Sequence, residues 1–302
     1  MQKFFRDDQL RRHDIDTLKK FLRRRLGGYV VALRYVQKDN WLYRAVRWKT
    51  PPPEVSMVSY PPAGIVRELG RLNRIGEPMF YCSRGQDPTL YEVNAKIGET
   101  FAISEWEMKE PLWMHNLGYH PVALGKLGPH GSEEYRPFMR GIIPNEASRN
   151  EKIRRRMALD FTEVVSERDN YRYKQSIAIN ELLFDNAESI PSHPDGPTID
   201  EAVGTVYPSI KNRGAADNVA IRPKFVDSSL KLRTISFIRI EEVNPESDGY
   251  TYLQTHLAAR FDGNKICWEE LTSAAELRRR YIYRAGNHYI LRDGLGNLIA
   301  RH

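Results

Sequence analysis

Three stretches of this chain concentrate side chains that can do chemistry. The first is Trp41-Leu42-Tyr43-Arg44-Ala45-Val46. The second runs from Gly70-Arg71-Leu72-Asn73-Arg74-Ile75-Gly76-Glu77-Pro78-Met79-Phe80-Tyr81 to Glu92. The third is Tyr207-Pro208-Ser209-Ile210-Lys211-Asn212-Arg213-Gly214, followed by Asn218-Val219-Ala220. Guanidinium groups such as Arg44 and Arg71 bind phosphate oxygens two at a time. Tyr43 and Tyr81 offer aromatic faces on which a flat ring can rest. A carboxylate such as Glu92 stabilises positive charge that builds on a sugar as its glycosidic bond breaks. Ser209, Asn73 and Asn218 supply hydrogen bonds, and Gly70, Gly76 and Gly214 let backbone come close to a ligand. Taken singly, each has a plain alternative: an ion pair for Arg44, a helix start for Glu92, a turn cap for Ser209.

Other catalytic patterns are absent. There is no Walker loop, no GxGxxG after a strand, no GxSxG and no HExxH. His115 and His120 have no nearby carboxylate partner in sequence and read as loop or core histidines. Cys82, beside Tyr81, reads as a buried, inert thiol. Two cysteines without a CxxC pattern argue against a disulfide framework or a zinc site and point to a reducing compartment.

The order and spacing of the three blocks resemble the RES-domain family, named for its Arg, Glu and Ser. The family's first block ends a strand in Tyr-Arg, which Tyr43-Arg44 matches. Its second block is filled by Gly70, Arg71, Asn73, Gly76, Pro78 and Tyr81, with Glu92 following at the family's spacing. Its third is filled by Tyr207, Pro208, Ser209, Gly214, Asn218 and Ala220. The resemblance covers about residues 40–225. Three positions depart from it: Leu69-Gly70 stands for a doubled glycine, Leu72 for an aromatic residue, and Tyr91 for a small or aliphatic one. These alter pocket width and substrate preference.

The resemblance implies an α+β, ADP-ribosyltransferase-like fold of two small antiparallel sheets around an NAD cleft. It implies a toxin that cleaves the nicotinamide–ribose bond of NAD with water or inorganic phosphate, depleting the cell's NAD. The alternative is an ADP-ribosyltransferase acting on a protein. By the same resemblance Arg44, Tyr81, Glu92 and Ser209 are the catalytic residues, and Tyr43, Arg44, Arg71, Asn73, Tyr81 and Asn218 bind NAD. NAD is the substrate and no metal is needed. The expected partner is an antitoxin or immunity protein blocking the cleft. The expected place of action is the cytoplasm, with delivery into another cell left open. A third reading, from a different class, is a module that uses its basic N-terminal segment on nucleic acid or anionic lipid.

Composition weighs against that third reading for the body of the chain. The 302 residues carry a net charge of +7. Residues 1–49 hold 14 Lys or Arg against 5 Asp or Glu, so the remainder is slightly acidic. The basicity belongs to the N-terminal segment, and nucleic acid is not an expected partner of the body. With 41% hydrophobic and 28% charged residues the chain is of globular composition. No apolar run of eighteen exists, and residues 1–26 lack the apolar stretch of a signal peptide.

The elements that must position the three blocks follow from periodicity. Residues 8–26 read as one basic amphipathic helix, stopped by Gly27-Gly28. Its partners in function would be an anionic surface or a protein; its alternative is a helix docked on its own domain. Strands are expected at 29–35, 41–46, 101–113, 203–207, 218–225 and 230–243. Residues 146–166 read as a helix with Ile153, Met157, Phe161, Val164 and Val165 on one stripe and Lys152, Arg154, Arg155 and Arg156 in water. A second helix is expected over 173–187. Residues 115–137 read as irregular and 189–200 as turn-rich. In the C-terminal part, Asp262-Gly263-Asn264 and Asp293-Gly294-Leu295-Gly296-Asn297 signal hairpins around a short helix over 268–280. The expected organisation is a helix and first strand over 1–39, the RES domain over 40–225, and a β-rich extension over 226–302 packed on it.

Overall fold

The computed structural model describes residues 3–29, 31, 33–38, 40–127, 148–185, 201–214, 216–244, 249–285 and 288–301. The expected turn-rich stretch 189–200, residues 128–137 of the irregular stretch, and the expected helical residues 146–147 and 186–187 lie outside them. The chain forms two compact units, each assembled from three separate stretches. One comprises Met1–Gln37, Pro61–Phe80 and Glu110–Ser228; the other Lys38–Tyr60, Tyr81–Lys109 and Ser229–His302. Both mix helices with strands, so the fold class is α+β. Residues 229–302 share the second unit with two earlier stretches because a strand within them pairs with one over Thr100–Met108. Among the described residues no helix is long and apolar enough to cross a membrane.

In the first unit, the N-terminal basic segment forms two helices rather than the single one expected. They are α1 (Asp7–Arg12) and α2 (Ile15–Leu26). The break is local. Asp14 is extended (φ −76°, ψ 169°), and its side chain accepts the Thr17 N–H at 2.7 Å, so the helix restarts at a new N-cap. Leu18, Leu22 and Leu26 of α2 are buried, whereas Phe21 is 43% exposed. The sheet of this unit runs β1 (Leu33–Val36), β5 (Leu112–Asn116), β6 (Gly204–Pro208), β7 (Asp217–Ile221). β5 and β6 are parallel and the other two pairs antiparallel, so the strands of this unit are mixed, and the two small antiparallel sheets expected are not formed. Gly204 lets β6 and β7 approach: a Cβ there would stand 2.3 Å from the Ala220 carbonyl oxygen.

Among the described residues the unit has four further helices: α4 (Pro121–Leu127), inside the stretch expected to be irregular, α5 (Ser148–Phe161), α6 (Tyr173–Asp185) and α7 (Pro223–Ser229), whose last residue begins the second unit. Ile153, Met157 and Phe161 of α5 are buried as expected. Helix α5 stops at Phe161, which leaves Val164 off the stripe and 75% exposed. Arg154 is buried rather than solvated, because Glu151 one turn earlier takes its charge. Helix α2 packs on α6, and Arg74 ties them together. Its guanidinium donates to both Glu181 oxygens at 2.6 and 2.7 Å and to both Asp16 oxygens at 2.6 and 3.1 Å.

The second unit holds an antiparallel sheet in the order β3 (Phe80–Ser83), β2 (Trp41–Arg47), β4 (Thr100–Met108), β8 (Leu230–Asn244), β9 (Gly249–Asp262), β11 (Arg279–Ala285), β12 (His288–Asp293), β13 (Leu298–Arg301). Strand β10 (Lys265–Glu270) pairs with β9 through the expected Asp262–Asn264 turn. The helix expected over 268–280 shrinks to α8 (Ala275–Arg278), since pairing with β9 claims Trp268 to Glu270 for the sheet. Strand alternation sorts the core onto two faces. One face gathers Ala45, Phe101, Ile103, Ile238, Ile240, Tyr250 and Tyr252, and α3 (Gln86–Glu92) covers it with Leu90. The opposite face gathers Val58, Ala102, Ile235, Phe237, Ala258 and Ile266.

Candidate functional site

The second unit positions Tyr43, Arg44, Tyr81 and Glu92. Neighbours on β2 point to opposite faces, so Tyr43 lies on the face shared with Ala45 and α3, and Arg44 on the other. Ser83 pairs with Tyr43 across β3 and β2, which puts Tyr81, two residues earlier, on the α3 face as well. Glu92 ends α3 and is half-buried. That helix is short but closely held. Its Tyr91 ring lies 4.9 Å from Tyr250, its Gln86 amide donates to the Tyr252 hydroxyl at 3.0 Å, and Arg47 donates to the Val93 carbonyl at 3.3 Å. Asn94, at φ 50°, closes it. A carboxylate on the last residue of a helix gains nothing from the helix dipole, which favours cations there.

The α3 face holds a carboxylate that the sequence reading missed. Glu105 accepts the Tyr43 hydroxyl at 2.8 Å on one oxygen and the Thr234 hydroxyl at 2.6 Å on the other. A signal existed. In the alternation Phe101, Ile103, Glu105, an acid occupies a position whose predecessors are core.

Arg44 lies across the sheet from this group. It donates to the Ser59 carbonyl at 3.0 Å and to the Tyr81 carbonyl at 2.7 Å. Burial lowers its pKa to about 10, opposed by the neighbouring Cys82 and Tyr81, and it remains charged at neutral pH. Cys82 is buried beside it, and burial pushes its thiol well up, so it is not a thiolate nucleophile. Arg44 therefore stitches β2 to β3 and to the 58–60 turn. Arg44→Ala is expected to lower stability by about 2 kcal/mol, since two carbonyls lose a charged donor. Arg44→Lys recovers only part of it, because an ammonium cannot span both oxygens. Urea denaturation checks this; unchanged stability in Arg44→Ala would remove the structural role.

The first unit positions Arg71, Asn73, Ser209 and Asn218. Arg71 donates to the Phe161 and Glu163 carbonyls at 2.8 and 3.1 Å, where α5 ends. Its guanidinium lies 5.2 Å from the Tyr173 ring and 6.0 Å from the Tyr207 ring. Asn73 is buried, its amide donates to the Arg74 carbonyl at 3.0 Å, and its own carbonyl accepts the Gly70 N–H at 3.2 Å. Ser209 is fully buried. Its hydroxyl oxygen accepts the Asn212 backbone N–H at 3.1 Å and the Asn212 side-chain amide at 2.9 Å. The Gly214 N–H donates to the Ser209 carbonyl at 2.7 Å, and Arg213 and Gly214 turn the chain at φ 53° and 79°. Ser209 thus staples the loop that carries β6 into β7. Asn218, also buried, pairs with Tyr207 across those strands.

Each unit links two of the three sequence blocks. In the second unit Arg44 of the first block holds Tyr81 of the second. In the first unit Arg71 of the second block meets Tyr207 of the third. The histidines stand apart from these residues. His115 is buried against Phe184 at 4.6 Å, and burial first, then the charge of Arg222, depresses its pKa to about 4. His120, for which the sequence shows no carboxylate partner, has one from α5: Glu151, 2.6 Å from its Nε2. Its Nδ1 accepts the Val122 N–H, so Nε2 carries the proton. Among the described residues no group of three His, Cys, Asp or Glu is placed to hold a metal ion.

Comparison of the chain with family models, curated proteins and solved structures finds no match.

Proposed function

We propose that the chain binds NAD and breaks its bond to nicotinamide. The observation that carries this reading is that Tyr43 and Tyr81 share the sheet face on which α3, the helix that ends in Glu92, is laid. Aromatic side chains and a carboxylate are the residue types that suit a flat, cationic leaving group attached to a sugar. In the reaction the bond between ribose C1′ and the pyridinium nitrogen breaks. Its electron pair goes to the nitrogen, which leaves as neutral nicotinamide, and positive charge passes to the ribose. Glu92 stabilises that charge, and water or inorganic phosphate adds to C1′ and gives up a proton. Ser209, Asn212, Asn73 and Asn218 keep the third block and the second-block loop in shape, and Arg44 acts through the Tyr81 backbone that it holds.

The same reading takes the fold as ADP-ribosyltransferase-like, which the antiparallel sheet of the second unit supports. It makes the protein an NAD-depleting toxin acting in a cytoplasm and held in check by an antitoxin or immunity protein. The test is direct. Purified protein at micromolar concentration is incubated with NAD, in phosphate and in phosphate-free buffer, and nicotinamide is quantified. Release in either buffer is expected, and NAD left intact in both overturns the reading. Labelled NAD with a cell extract separates the acceptors: soluble label means water or phosphate, protein-bound label means ADP-ribosyl transfer.

A further inference from the structure

We propose that the Asp262-Gly263 link is a site of spontaneous modification, where the chain closes to a succinimide and reopens as isoaspartate, and that this change releases residues 54–56 from the turn that holds them. The inference is independent of the NAD reading. Two Asp-Gly pairs lie wholly within the described residues, Asp262-Gly263 and Asp293-Gly294. In such a pair the glycine nitrogen can attack the aspartate side chain, because no Cβ on the glycine shields it. The structure makes the two pairs unequal.

Asp262 ends β9, Lys265 opens β10, and Gly263 and Asn264 form the turn between them. Gly263 takes the first turn position at φ 58°, where glycine is favoured. Asp262, Gly263 and Asn264 are all exposed. Among the described residues neither the Asp262 carboxylate nor the Gly263 N–H has a hydrogen-bond partner. A Cβ on Gly263 would meet nothing within 4 Å, so a five-membered ring has open space to form. Asp293 is the opposite case. Its Oδ1 accepts the Leu295 N–H at 2.9 Å and the Asn297 N–H at 2.8 Å, and its Oδ2 accepts the Asn297 side-chain amide at 2.9 Å. Those bonds must break before its carboxyl can turn onto the Gly294 nitrogen.

The step balances with water alone. The Gly263 nitrogen bonds to Cγ of Asp262 and gives up its proton. One carboxylate oxygen leaves as water, taking that proton and one from solvent. Water then adds to either ring carbonyl. Opening at Cγ restores aspartate; opening at the main-chain carbonyl leaves the chain running through Cγ, longer by one methylene. The added atom precedes Asn264, which holds the 54–56 segment. The Asn264 carbonyl accepts the Val55 N–H at 2.7 Å, its side-chain oxygen accepts the Ser56 N–H at 2.9 Å, and its amide donates to Glu54 at 2.9 Å. A lengthened turn cannot keep all three bonds within hydrogen-bond geometry.

The experiment ages the full wild-type chain for several weeks at neutral pH and body temperature, then maps its peptides by chromatography and electron-transfer mass spectrometry. Isoaspartate is told from aspartate by retention and fragmentation, and succinimide by the loss of one water. Isoaspartate at 262 should exceed that at 293 by about tenfold or more, since three hydrogen bonds guard the latter. Equal accumulation at the two positions, or none at 262, overturns the proposed site. The isoaspartate-bearing fraction, separated from the rest, should exchange the Val55 and Ser56 amide hydrogens several-fold faster than fresh protein. Unchanged exchange there overturns the proposed release. Asp262→Glu can close only a larger ring, so after the same ageing it should stay intact at 262 and keep the slow exchange. Fast exchange at Val55 and Ser56 in the aged Asp262→Glu protein would assign the loosening to another change and overturn the link between the two.

Discussion

Glu92→Gln is expected to lower kcat for nicotinamide release on the order of 10²-fold, with NAD affinity little changed. The substitution keeps the size of the side chain and most of its hydrogen bonding and removes the negative charge. A charge that meets the substrate only once the ribose turns cationic acts in the transition state, so its loss shows in kcat rather than KM. The structure argues that folding will tolerate the change. Glu92 is half-buried at the end of α3, and Leu90, Tyr91 and Gln86 anchor the helix. Stability should stay within about 0.5 kcal/mol of wild type. Single-turnover kinetics and a denaturation curve on the same preparation decide it. Near-normal kcat in a folded Glu92→Gln protein would remove the residue from the chemistry, and loss of folding would make it structural. Glu105, on the same face, would then be the carboxylate to test for charge stabilisation.

Asp160→Asn should make the protein more stable at pH 7 by up to about 4 kcal/mol and leave it unchanged near pH 4. Asp160 lies in α5, is 7% exposed, and neither carboxylate oxygen has a hydrogen-bond partner. Burial raises its pKa to about 8, against the lowering pull of Lys3, with Glu163 adding to the rise. The fold therefore holds a proton that the unfolded chain gives up near pH 4. Below that pH both states are protonated and the group costs nothing. Between about pH 4 and pH 8 the unfolded chain ionises while the fold does not, and stability falls by about 1.4 kcal/mol per pH unit. Above about 8 the folded carboxyl ionises too and the loss levels off. Asparagine never ionises, so its advantage should grow across this window. Urea denaturation of both proteins at several pH values measures it. A difference that does not vary with pH would mean that Asp160 is ionised in the fold, paired with Lys3 or solvated.

What the sequence determined by itself is local. The stripes Leu18, Leu22, Leu26 and Ile153, Met157, Phe161 place two buried helix faces, because a period of 3.6 residues is written in the chain whatever it packs against. The strand at Trp41–Arg47 and the turn at Asp262–Asn264 are equally legible, from alternation and turn chemistry. The three chemical blocks are legible as residue types, and alternation also implies that Tyr43 and Arg44 part company. It does not say which of them shares its face with α3. Only the tertiary structure decides that, by laying α3 on the Ala45 face of β2 and leaving Arg44 to the carbonyls of Ser59 and Tyr81. The break at His13–Asp14 turned on one cap, which outweighs a continuous apolar stripe once its side chain finds the Thr17 N–H. The residues that pairing across long separations brings together were beyond local signals: Glu105 between Tyr43 and Thr234, His120 against Glu151, and Trp268–Glu270 drawn from helix into sheet. Strand register is set by which partner covers which face, and that partner can be more than a hundred residues away, as β8 is from β4. For the same reason the residues beyond 228 join the second unit: β4 pairs with β8 along its whole length.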